Sequence, residues 1–99
     1  MSLNALWTPQ AETGFRAITD YLEQEWGERV ADAFASDVVQ TIALLEEFPN
    51  GGVVELPELG IRSIPVARQV RLFYVVRDEL LIVLELIDTR TGRFQRLRG

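Results

Sequence analysis

Arg62, Arg68, Arg71 and Arg77 recur within one stretch of apolar and β-branched residues, and Arg90 and Arg93 follow close behind. All ten cations of the 99-residue chain are arginine. A guanidinium is a planar, forked donor suited to carboxylates, phosphates and aromatic faces. On a strand, an arginine ordinarily stands on a solvated outer face. Four arginines on two neighbouring strands can instead form one basic face able to hold an anionic partner. The charge is divided accordingly. Residues 1–58 carry eleven acids and two arginines, a net of −9, and residues 59–99 carry four acids and eight arginines, a net of +4. Such asymmetry points to a polar contact surface rather than to a fold.

The missing residue types exclude whole classes of chemistry. The chain has no cysteine and no histidine. It therefore has no disulfide framework, no thiolate or imidazole metal site, and no Ser-His-Asp or Cys-His nucleophile. No cofactor is expected. A net charge of −5 argues against general nucleic-acid binding, which needs a basic surface. No apolar run approaches the roughly 20 residues of a membrane span. The start Met1-Ser2-Leu3 lacks the basic and apolar regions of a signal peptide, so the cytoplasm is the expected location.

The elements that must position the arginines follow from periodicity. Residues 3–7 suit a short strand. Thr8-Pro9 reads as a helix start, with Thr8 as N-cap and Pro9 in the first helical position. Phe15, Ile18, Leu22 and Trp26 then form one apolar stripe, and Gly27 offers a stop. From Glu28, a second stripe runs through Val30, Phe34, Val38, Ile42 and Leu45 to the break at Pro49-Asn50-Gly51-Gly52. So tight a join predicts an antiparallel helix hairpin. Residues 56–60 read as a loop. Residues 62–66, 70–77 and 80–87 read as strands, with Pro65 marking an edge or bulge and Arg77-Asp78-Glu79 a tight reversal. The whole chain, 1–99, is one domain. The expected class is α+β: an antiparallel two-helix hairpin on one face of a mainly antiparallel sheet, in the order β-α-α-β-β-β.

Strand alternation divides residues 70–77 between two faces. Val70, Leu72, Tyr74 and Val76 suit a core beneath the helices. Phe15, Ile18, Leu22, Phe34, Val38, Leu45, Leu72 and Tyr74 should fill that core, with the Tyr74 hydroxyl hydrogen-bonded or near an edge. Arg71, Phe73, Val75 and Arg77 fall on the other face, where they would present cations beside exposed apolar groups. The alternative is that the basic tail, with Phe94 and Leu97, covers Phe73 and Val75.

Element order and β half together resemble the ParE/RelE superfamily, the toxins of bacterial type II toxin–antitoxin (plasmid stabilisation) modules. The resemblance spans nearly the whole chain. It rests on the first strand ending at Trp7 and the helix hairpin closing in Leu45-Glu46-Glu47-Phe48-Pro49. It continues through Leu59-Gly60-Ile61-Arg62-Ser63-Ile64-Pro65-Val66 and Arg71-Leu72-Phe73-Tyr74 to the strand ending before Arg90. The string Leu-Gly-x-Arg-Ser-x-Pro-Val, with Phe-Tyr eight residues after Pro65, looks like the ParE branch in particular.

The resemblance carries two functional implications. ParE-like members are not nucleases; they poison DNA gyrase by binding it. RelE-like members are metal-independent endoribonucleases that cleave messenger RNA on the ribosome. Arg71 and Arg90 fall where the second branch keeps arginines that would stabilise a phosphate transition state. Phe94 stands where that branch tends to carry a tyrosine, and a phenyl ring transfers no proton. The branch's lysines are also missing. Many ParE sequences carry a histidine and paired arginines after the last long strand; here that stretch reads Ile87-Asp88-Thr89-Arg90-Thr91-Gly92. The favoured reading is a gyrase-binding toxin neutralised by a cognate antitoxin. The alternatives are the ribosome-dependent nuclease and a non-toxic member that only binds an antitoxin. The expected contact residues are Arg62, Arg68, Arg71, Phe73, Arg77, Arg90, Arg93 and Phe94, with no catalytic residue. The antitoxin segment is expected to be acidic and apolar and to lie along the sheet. A homodimer is another way to cover a free sheet edge.

Overall fold

The computed structural model describes residues 2–89. Strand β1 (Asn4–Trp7) leads into helix α1 (Pro9–Trp26) and helix α2 (Glu28–Glu47). Strands β2 (Val53–Leu56), β3 (Ile61–Ala67), β4 (Val70–Arg77) and β5 (Leu80–Asp88) follow, with short 3₁₀ turns at Pro49–Gly51 and Pro57–Leu59. The five strands form one sheet in the order β1-β5-β4-β3-β2. The β1–β5 pair is parallel and the other three pairs are antiparallel. The α+β class, the helix hairpin and the mainly antiparallel sheet are as the sequence predicts. Strand β2 is an addition, four residues long and squeezed between Gly52 and Pro57.

Helix α1 starts where its cap dictates. The Thr8 hydroxyl accepts from the Ala11 N–H at 3.0 Å and donates to the Leu84 carbonyl at 2.8 Å. Leu84 is the extra residue of a bulge in β5, since Phe73 pairs with Glu85 while Tyr74 pairs with Val83. A bulge leaves part of a ladder unpaired, and Thr8 fills that gap while fixing the helix entry. At the other end, Gly27 (φ 97°) closes α1 and opens α2 in a backbone conformation that glycine adopts without strain.

The hairpin packs its inner stripes on one sheet face. Ala11, Ile18, Phe34, Val38, Ile42 and Leu45 meet Val66, Val70, Leu72, Tyr74, Leu81, Val83 and Leu86. Phe15 and Leu22 pack at the margin of this core. Phe15 lies edge-on to Trp7 at 5.5 Å and stacks on Phe34 at 5.9 Å. Two members of the apolar stripes, Trp26 and Val30, flank the Gly27 turn and are exposed.

Helix α1 approaches β5 closely at Gly14. A Cβ there would sit 2.9 Å from the Leu86 carbonyl oxygen, a backbone atom. Replacing a helical glycine by alanine ordinarily stabilises by up to about 1 kcal/mol. Here the steric cost should outweigh that gain. Gly14→Ala should destabilise the domain by about 1–3 kcal/mol. Thermal unfolding should therefore fall by roughly 4–8 °C per kcal/mol; a rise in melting temperature would refute the close approach.

Candidate functional site

The face of the sheet away from the helices carries a second apolar cluster. Ile61, Phe73, Val75 and Ile87 are buried there, with Leu56, Ile82 and Leu84 packed around them. No helix residue belongs to this cluster. Phe73 and Val75 do share a face with Arg71 and Arg77, as alternation predicts. They are not exposed, however: Phe73 is 0% exposed and Val75 7%. Packing against Ile61 on β3 and Ile87 on β5 makes them a core of their own rather than a bare contact patch.

Arg71 is held on this far face by a row of polar groups across three strands. Its Nε and Nη2 donate to the Ser63 hydroxyl at 3.1 and 3.0 Å. The Ser63 hydroxyl donates in turn to the Glu55 carboxylate at 2.5 Å. Ser63 is fully buried, and a second acid, Glu85, is only 6% exposed opposite Phe73. A buried charge needs partners and hydrogen bonds to persist. Arg71 and Glu55 balance one another through Ser63, which fixes the guanidinium and limits its freedom to turn toward a ligand.

The other arginines do not join it. Arg62 pairs with Tyr74 and so lies on the helix side. Its Nη1 donates to the carbonyls of Gly52 at 2.8 Å and Asn50 at 3.3 Å. Arg77 sits at the far end of β4, where it donates to the Leu59 carbonyl at 2.9 Å. Arg68 is in the two-residue turn between β3 and β4, beside a groove of about 260 Å³ lined by Ile18, Leu22, Phe34 and Val70. The single basic face expected from the arginine spacing is therefore split among two sheet faces and a turn. Arg90, Arg93 and Phe94 lie outside the described residues, as does the expected turn around them.

Arg62 belongs instead to a knot around Tyr74. The Tyr74 hydroxyl donates to the Pro49 carbonyl at 2.7 Å and accepts from the Gly52 N–H at 2.9 Å. The ring is fully buried, so the hydroxyl is bonded as a buried phenol must be. Burial pushes its pKa up, opposed in part by the Gly52 N–H and the Arg62 charge. A Cβ on Gly52 would meet the hydroxyl at 2.7 Å, so only glycine fits. The knot fixes the chain between α2 and β2 and thereby sets the position of β2.

The two sheet edges differ. On β1, the Ala5 N–H donates to the Glu46 carboxylate at 2.9 Å and the Leu3 N–H to the Glu46 carbonyl at 3.0 Å, so the end of α2 closes that edge. At β2, Val53 and Val54 are 61% and 46% exposed. An open edge with apolar side chains is a template for another strand. A second apolar feature lies on the helix hairpin: a groove of about 470 Å³ lined by Trp7, Glu12, Phe15, Arg16, Val38 and Val39. Both were missed by a reading centred on arginine. The signals were present as Val39, Val53 and Val54, apolar residues off the buried stripes. Among the described residues, no cluster of three or more acids, histidines or cysteines could hold a metal. No described helix is long and apolar enough to cross a membrane.

A helix hairpin on a mixed five-stranded sheet with one open edge defines the class of fold. The family model for the ParE toxin of the type II toxin–antitoxin system parDE matches residues 5–92. The chain belongs to this ParE toxin family. A solved structure titled as the chromosomal ParDE TA system from P. aeruginosa is similar over 88% of this chain and 96% of that one, with a TM-score of 0.74 and 22% identity. At that identity, the likeness supports the fold. No curated protein matches the sequence.

Tyr74→Phe tests the knot. It removes one donor and one acceptor and strands the Gly52 N–H, at a cost of about 1–3 kcal/mol. The pH dependence has a definite sign. With the folded pKa above the ordinary 10.0, the contribution is complete below pH 10.0 and is lost as pH rises through the folded value. Urea unfolding of the parent chain between pH 9 and 11 should show this fall, and Tyr74→Phe should show a smaller one.

Proposed function

We propose that this chain inhibits growth by binding DNA gyrase and is neutralised by a cognate antitoxin. Membership of the ParE family carries the reading. The far face adds support. Its titratable groups among the described residues are Glu55, Arg71, Glu85 and Arg77, and neither described phenol lies beside them. Tyr21 is exposed on α1, and Tyr74 is locked beneath the helices. General acid–base cleavage of RNA needs a proton-transfer group poised beside the phosphate-binding cation. Arg71, bound to Ser63 and through its hydroxyl linked to Glu55, is built more as a fixed strut than as a mobile phosphate clamp.

The antitoxin is best served by the surfaces that are open. An extended apolar segment adds to β2 through main-chain hydrogen bonds, with Val53 and Val54 beside it. An amphipathic helix lays its apolar face in the Trp7–Phe15–Val38–Val39 groove. An acidic segment gains a further charge contact with Arg16 at the groove rim. Buried apolar anchors dominate such interfaces. Val39→Asp and Val53→Asp should therefore each weaken antitoxin binding by about 2 kcal/mol or more. Circular dichroism spectra should be unchanged, because both side chains are exposed. Parent affinity in both variants would place the antitoxin elsewhere.

Expression of the chain without its antitoxin tests the target. The expected outcome is arrest with a DNA-damage response and intact messenger RNA, relieved by co-expressed antitoxin. Codon-positioned cuts in ribosome-bound messenger that disappear in Arg71→Ala would mean that the nuclease reading is correct. Normal growth alongside tight antitoxin binding would mean that toxicity has been lost.

A further inference from the structure

Of the four arginines on β3, β4 and the turn between them, three are committed within the chain. Arg62 donates to the Gly52 and Asn50 carbonyls, Arg71 to the Ser63 hydroxyl, and Arg77 to the Val76 and Leu59 carbonyls. Arg68 is exposed and, among the described residues, makes no hydrogen bond or ion pair. It lines the groove of about 260 Å³ between the helix hairpin and the β3–β4 turn. Ile18, Phe34 and Val70 are the buried members of that groove, and Leu22 and Ala67 are half-buried.

We propose that this groove is an anchor pocket for the antitoxin: it takes one apolar side chain of the bound segment, and Arg68 pairs with a carboxylate beside that side chain. The assignment rests on neutralisation by an antitoxin, as proposed, and adds a third contact to the β2 edge and the larger groove. Charge selects the chemistry. Arg68 is the only charged residue lining this groove, whereas the larger groove holds Glu12 as well as Arg16. A guanidinium with uncommitted donors at the edge of an apolar pocket favours a carboxylate held by two parallel hydrogen bonds. Volume selects the source. Pockets for free ligands of drug size span about 300–1,000 Å³. A groove of about 260 Å³ instead suits a single side chain of a larger partner.

The turn presents Arg68 on a fixed backbone. The Gln69 carbonyl accepts from both the N–H and the hydroxyl of Thr89, at 2.8 and 3.1 Å. Ala67 and Val70 pair with one another, and Val70 also pairs with Asp88. A preformed turn leaves only the arginine side chain to be ordered on binding, which favours affinity. Position ties this pocket to the larger groove. Phe34, which lines the pocket, stacks on Phe15 at 5.9 Å, and Phe15 lines the larger groove. Ile18 and Leu22 follow Phe15 on the same helix, about 5 and 10 Å along its axis at ~1.5 Å per residue. One amphipathic segment lying along α1 thus reaches both grooves, with apolar anchors one to two turns apart and an acid at the Arg68 end.

The test follows methyl signals of the full, isotope-labelled chain as purified cognate antitoxin is added. The Ile18, Leu22 and Val70 signals should shift on binding. Arg68→Glu should weaken binding about tenfold or more, with an unchanged melting temperature because the side chain is exposed. Unmoved Ile18, Leu22 and Val70 signals, or parent affinity in Arg68→Glu, would overturn the proposal. Val39 and Val53 signals that shift in the same titration would then show that the antitoxin binds without this pocket. If no methyl signal moves at any antitoxin concentration, the pocket and the antitoxin reading fall together. Ile18, Leu22 and Val70 signals that change on dilution of the free chain, and ignore antitoxin, would assign the groove to a second copy and likewise overturn the proposal.

Discussion

Burial of β4 on both faces is the constraint on which the rest of this structure depends. Leu72 and Tyr74 are sealed beneath the helices, and Phe73 is sealed on the opposite side. A domain of this size ordinarily wraps one face of an antiparallel sheet and leaves the other wet. Here β4 and β5 are apolar on both sides. The helices must be held tightly on one face, which Gly14, Thr8 and the β5 bulge achieve. Polar groups on the other face must be satisfied internally, which Glu55, Ser63 and Arg71 achieve. The arginine that suggests a binding site by its type is thus bound into the cost of a two-sided sheet.

The same constraint separates structure from function. Because the centre of the sheet is closed, the exposed apolar surface among the described residues falls to its margin and to the helix hairpin. Glu46 closes one edge at β1, and the Tyr74 knot presents the other at β2. An open edge and an apolar helix groove offer main-chain and side-chain handles. Membership of the ParE family fits this division.

Much of the fold was legible because helix stripes and strand alternation are strong signals. The core residues Ile18, Phe34, Val38, Leu45, Leu72 and Tyr74 were all readable from spacing. Trp26 and Val30 obey the helical period but are exposed beside the Gly27 turn, and spacing alone cannot tell where a partner surface ends. Strand β2 has four residues, too few for a pattern. The placement of Arg62 failed for a sharper reason. A plain two-residue hairpin after Ala67 would pair Arg62 with Val75 and put it beside Arg71. The register instead slips by one between Pro65 and Ala67, so Arg62 pairs with Tyr74. A slip of one residue sends a side chain to the opposite face. Pro65 signalled a bulge, but not its effect on the arginine two turns of the pleat away.

A titration of the purified chain against purified DNA gyrase distinguishes a binding toxin from a nuclease most directly. Heat release or fluorescence anisotropy would be followed with and without antitoxin. Saturable binding with a defined stoichiometry, abolished when antitoxin is present in excess, is the expected result, with a parallel loss of supercoiling activity. No binding to gyrase, together with cleavage of messenger RNA on isolated ribosomes by the same preparation, would contradict it.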